Sequence, residues 1–67
     1  MIKNNLQKYR MYYDITQADL SYQLKISVHL IRKIEAKYYY PKYQIRAKIC
    51  KYFNISLEQL FYLEEEI

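Results

Sequence analysis

The most constraining feature of this chain is a pair of helix-start signals, Thr16 and Ser27. They leave room between them for one short helix and a tight turn. Thr16 followed by Asp19 reads as a capping box with a weak acidic partner, opening a helix from Gln17 to Leu24. Ser27 reads as the N-cap of a second helix, from Val28 to about Ala36. Leu20 and Leu24 fall on one face of the first, Ile31 and Ile34 on one face of the second, and Ile26 lies in the turn. Lys25 occupies the turn position where a left-handed residue, normally glycine, is expected. A lysine there costs about 1 kcal/mol and adds a positive charge. The outer face of the second helix is left with Val28, His29, Arg32 and Lys33. A short basic helix held across another by an apolar seam has the geometry that enters a DNA major groove.

The elements around this pair follow from the same signals. A helix from Asn5 to about Tyr13 precedes it, with Asn4 and Gln7 as a possible capping box. Its inner face carries Leu6, Tyr9, Tyr13 and one charge, Arg10. Glu35, one turn after Ile31, is the matching charge on the second helix of the pair. A lone buried charge is costly, so the two are expected to meet as an ion pair; the alternative is that both reach out to solvent. After Ala36 comes the basic, aromatic stretch Lys37-Tyr38-Tyr39-Tyr40-Pro41-Lys42, in which Pro41 stops one helix or starts the next. A fourth helix, Lys42 to Phe53, has Tyr43, Ala47, Ile49, Cys50 and Phe53 as its apolar side, and Asn54 ends it. Ser56 and Gln59 form a capping box for a short fifth helix, Leu57 to Phe61. Ile2 could pair with the chain around Tyr62-Leu63 as a short two-stranded ribbon.

Composition narrows the function. At 67 residues the chain reads as one domain with a small core. One cysteine and one histidine exclude an internal disulfide and a four-cysteine metal site. Cys50 reads as a core residue. No cofactor, no metal and no catalytic residue is expected, and with no carboxylate cluster or phosphate loop the chain does not read as an enzyme. The start lacks a signal-peptide core and no stretch is long enough to span a membrane, so a cytoplasmic protein is expected. Residues 1–51 hold all 11 Lys and Arg against Asp14, Asp19 and Glu35, whereas residues 52–67 hold Glu58, Glu64, Glu65, Glu66 and no base. Such a basic body fits a polyanion-binding surface, although lysine-rich surfaces are also common in small soluble proteins. The ten tyrosines can enlarge the core or lie beside basic residues on a nucleic-acid surface, and composition does not divide them.

The ordered set Ile15-Thr16-Gln17-x-x-Leu20, Leu24-x-Ile26-Ser27, Ile31-x-x-Ile34-Glu35, Pro41, Lys48-Ile49 to Phe53 and Ser56-Leu57-Glu58-x-Leu60-Phe61 resembles the Cro/repressor-type helix-turn-helix (XRE) family, over nearly the whole chain. The resemblance implies an all-α, compact five-helix domain whose second and third helices form the DNA-binding unit. It implies base readout by Ser27, Val28, His29, Arg32 and Lys33. Phosphate contacts are expected from Gln17 and, with the turn and loop charges, Lys25, Lys37 and Lys42. It also supports the Arg10–Glu35 pair. Val28 can contact a thymine methyl but donates no hydrogen bond. His29 can donate or accept, and pH-dependent binding is one expectation for it; a simple exposed polar side chain is the alternative. Leu30 and Arg46 depart from the family's small residues, and glycine is absent from both usual turns. The expected function is a transcriptional regulator, most simply a repressor, that binds double-stranded DNA at a pseudo-palindromic operator as a homodimer. The expected interface is Leu57, Leu60, Phe61, Tyr62 and Leu63; the alternative for Leu57, Leu60 and Phe61 is plain core, which should take most of their area, and leaves Tyr62 and Leu63 as the main interface residues. The rival expectation is an antitoxin-like module that binds a partner protein through its acidic, aromatic C-terminal end.

Overall fold

The computed structural model describes residues 2–37 and 39–63. The elements run β1 (Ile2–Asn4), α1 (Leu6–Tyr12), α2 (Gln17–Leu24), α3 (Val28–Glu35), α4 (Tyr43–Phe53), α5 (Leu57–Leu60) and β2 (Phe61–Leu63). The expected all-α domain of five helices is present, and the strands pair antiparallel with Ile2 opposite Leu63, Lys3 opposite Tyr62 and Asn4 opposite Phe61. Glu64, Glu65 and Glu66, the acidic end, lie outside the described residues, as does Tyr38.

Capping sets the helix boundaries. The Thr16 hydroxyl accepts from the Asp19 amide, and that of Ser27 accepts from the His29 amide. Ser56 and Gln59 form both halves of a capping box. The expected Asn4–Gln7 box at the first helix does not form. Asn5 is the N-cap and makes no side-chain cap bond. Asn4 sits instead in β1, buried, where its amide donates to the Ile34 carbonyl at 2.8 Å and its Oδ1 accepts from the Leu6 amide at 3.1 Å. One asparagine thus ties the first strand to α3 and caps α1 from outside it, leaving Gln7 exposed. The fifth helix ends one residue earlier than expected because Phe61 is extended and pairs in the ribbon.

The core is Leu6, Leu20, Leu24, Ile31, Ile34, Ile49, Cys50, Phe53, Leu60 and Phe61, so every helix contributes to one cluster. Burial pushes the Cys50 thiol up, with Glu58 adding to the effect, so the side chain stays a neutral thiol inside the core. Tyr43 departs from the expected apolar face of α4 and is exposed. The Arg46 guanidinium lies 4.6 Å from the Tyr40 ring centroid and 5.6 Å from that of Tyr43. Arg46 also donates to the Pro41 carbonyl at 3.1 Å and to the Tyr40 hydroxyl at 2.6 Å. The arginine that departs from the family's small residue therefore clamps the loop before α4. Leu30, the other departure, packs half-buried against the core.

The chain has no glycine, yet Asp14, Lys25, Lys37 and Asn54 all take left-handed backbone, with φ of 57°, 56°, 69° and 56°. Asp and Asn tolerate this region through local hydrogen bonding, whereas lysine does not. Lys25 is the C-cap of α2, as its turn position implied. Replacing it with glycine is expected to stabilise the protein by about 1 kcal/mol. The thermal midpoint, followed by circular dichroism, should rise by about 4–8 °C for a domain of this size.

Candidate nucleic-acid interface

The two-helix unit is assembled around one ion pair. Arg10 Nε donates to Glu35 Oε2 at 2.8 Å and Arg10 Nη2 donates to Glu35 Oε1 at 3.0 Å, a bidentate pair. The side chains are 13% and 6% exposed. A third donor, Arg10 Nη1, reaches the Ile15 carbonyl at 2.9 Å, so the same guanidinium also holds the link between α1 and α2. The hydrogen bond to Glu35 raises the Arg10 pKa above the usual arginine value, against the lowering effect of burial. A raised pKa means that the stabilisation from this cation is fully present below the ordinary arginine value and is lost only at extreme alkalinity.

The pair continues toward the outer surface. Gln17 Nε2 donates to Glu35 Oε1 at 3.0 Å, and Gln17 Oε1 accepts from Arg32 Nε at 3.4 Å. Arg10, Glu35, Gln17 and Arg32 thus form one chain of hydrogen bonds. Gln17, expected at a phosphate, is half-buried at the start of α2 with its amide engaged at both ends. The sequence pattern does not predict this link, because the proximity of Gln17 and Glu35 depends on how α2 crosses α3, which spacing along the chain does not reveal.

On the outer face of α3, His29 and Arg32 are exposed, while Val28 and Lys33 are half-buried. Ser27 is exposed, with its hydroxyl serving the cap of α3. Lys33 Nζ lies 4.5 Å from the Tyr39 ring centroid, which draws its charge toward the loop that follows α3. Lys25 and Lys37, both exposed and both left-handed, stand just before and just after α3 in the chain, and Lys42 is the exposed N-cap of α4. Lys48 Nζ donates to the Leu24 carbonyl at 3.3 Å, so it satisfies the end of α2. Among the described residues no group of three His, Cys, Asp or Glu could hold a metal ion, and no helix is long and apolar enough to cross a membrane.

The expected interface residues divide. Leu60 is fully buried and Phe61 is buried in a T-shaped contact with Tyr40, so both are used in packing within the chain. Leu57 is half-buried against the core. Tyr62 and Leu63 are exposed, Leu63 at 76%, and with Ile2, Tyr40, Glu58 and Phe61 they line an open, mainly apolar groove beside the ribbon.

Two short capped helices crossed over an apolar seam, with polar and basic residues on the outer face of the second, define a helix-turn-helix of the DNA-binding class. Residues 5–66 match the model of the Cro/C1-type HTH DNA-binding domain, and the chain belongs to that family. It is similar, at 35% identity over 97% of this chain and 98% of the relative, to an HTH-type transcriptional regulator of Methanocaldococcus jannaschii. It is also similar, at 31% identity over the same shares, to an HTH-type transcriptional regulator of Bacillus subtilis.

Removing Arg10 leaves Glu35 buried with a single remaining donor. Arg10→Ala is expected to destabilise the fold by about 3 kcal/mol, in keeping with the loss of one partner from a buried pair. An unchanged denaturant midpoint would show that the pair is not a structural keystone.

Proposed function

We propose that this protein is a sequence-specific transcriptional regulator, acting as a repressor, that binds a pseudo-palindromic operator as a homodimer. The observation that carries the reading is the outer face of α3. His29 and Arg32 stand exposed there, on a helix whose seat is locked from beneath by the Arg10–Glu35 pair. The names of the two relatives, both HTH-type transcriptional regulators, support the regulatory role. Ser27, Val28, His29 and Arg32 supply base contacts, with Val28 suited to a thymine methyl and Arg32 to a guanine edge. Lys33, drawn toward Tyr39, serves at the far end of the same face. Lys25, Lys37 and Lys42 meet phosphates, as does the second amide hydrogen of Gln17. These cationic contacts make affinity fall steeply with salt. Two left-handed lysines in place of glycine fit this reading, because backbone strain is retained where a side chain has work to do.

The dimer follows from the limits of one helix. A single α3 reads only a few base pairs, whereas two of them about 34 Å apart read successive major-groove faces. The groove beside the ribbon supplies the surface for a second copy. Tyr62, Leu63 and Ile2 offer exposed apolar area there, and Leu57 adds its partly exposed edge. Repression by occlusion asks nothing more of a chain this small.

Selection from a random duplex pool at two salt concentrations, followed by sequencing, tests the reading. A two-fold symmetric site should be enriched, with affinity falling at the higher salt. Weak binding that ignores sequence would overturn it. Leu63→Asp should shift the protein to a monomer in sedimentation equilibrium and weaken operator binding at least tenfold without changing the helical signal. A variant that stays dimeric would place the interface elsewhere.

A further inference from the structure

We infer that Gln17 is a positioning residue for Arg32, and through it a determinant of which base the protein reads. The inference rests on the DNA-binding reading above and deepens it. Its ground is the polarity of the hydrogen-bond chain. Arg10 only donates and Glu35, as a carboxylate, only accepts. The Gln17 group that faces Glu35 is therefore the NH2, as its 3.0 Å bond requires. That leaves Oε1 as the end that faces away, and an amide oxygen only accepts. Arg32, a pure donor, is the group that meets it, through Nε at 3.4 Å. Reversing the amide would set oxygen against carboxylate and nitrogen against guanidinium, so neither contact would survive. The buried pair thus fixes the orientation of a half-buried glutamine, and the glutamine fixes an exposed arginine.

The geometry leaves Arg32 armed for recognition. Only its Nε is used by Gln17, so both terminal nitrogens stay available for the two-pronged contact with guanine O6 and N7. An exposed arginine would otherwise sample many rotamers and lose that freedom on binding. Held by Nε, it presents its fork before DNA arrives. Gln17 thereby acts on specificity from a position that touches no base.

The two roles open to Gln17 separate in a double-mutant cycle on the selected operator and on a version altered at the base pair read by Arg32. Arg32→Ala should abolish discrimination at that pair, a loss of about 5–150-fold for a bidentate contact. Gln17→Ala should remove at least threefold of that discrimination, and adding it to Arg32→Ala should remove no more. Arg32→Lys, which keeps the charge but not the fork, should behave like Arg32→Ala in discrimination. In the protein without DNA, the Arg32 Nε–H resonance should be displaced and protected from exchange, and Gln17→Ala should return it to the position of a free arginine. The inference is overturned if Gln17→Ala weakens both duplexes equally, or if its effect persists in the Arg32→Ala background. An unperturbed Arg32 resonance also overturns it. Failure of the regulator reading looks different, because no operator would emerge from the selection at all.

Discussion

A guanidinium with three bonded nitrogens, set between a carboxylate and a backbone carbonyl, is the contact on which the placement of the other parts depends. Arg10 spans α1, the link at Ile15 and the last turn of α3. Apolar packing of Leu20 and Leu24 against Ile31 and Ile34 brings α2 and α3 together but is weakly directional. A bidentate charge pair adds direction, since its bonds weaken steeply when the planes tilt. Its charges are nearly dry, so the pair is retained more readily for the geometry it specifies than for net stability.

The absence of glycine gives the molecule a second constraint. Four bends that normally exploit an achiral residue are made by Asp14, Lys25, Lys37 and Asn54. Two of them place a cation beside α3, so the strain and the charge arise at the same positions. The tyrosines are divided with similar economy. Tyr13 stacks on Phe53 and Tyr9 lies tilted against it, Tyr39 lies beneath Lys33, and Tyr40 joins Phe61 to Arg46. Tyr12 and Tyr22 remain largely exposed. Composition counted these rings but could not assign them, because a ring with a polar tip suits the core, the loop and the surface alike.

What could be read along the chain was what local chemistry dictates. Thr16, Ser27 and Ser56 mark helix starts because a hydroxyl satisfies an amide two or three residues on. Lys25 and Asn54 mark helix ends, and the apolar spacing within α2 and α3 names their inner faces. Five helices, their order and the residues on the outer face of α3 follow from these signals. Even the Arg10–Glu35 pair was legible, since two opposite charges on two apolar faces have few places to go.

The tertiary structure decided whatever depends on groups far apart in sequence. Asn4 looked like half of a capping box and proved to be a strand residue that bonds both Ile34 and the first amide of α1. Gln17, expected at a phosphate, also links Glu35 to Arg32. Leu60 and Phe61 could have served a core or an interface, and both are buried in the core, Phe61 as the first residue of the ribbon strand. The sequence by itself determined where helices begin and end and which face of each is apolar, because those are contests among neighbouring residues. Which polar groups meet was settled only by the crossing of α2 and α3 and the closing of the ends, because a hydrogen bond tolerates little error in distance or angle.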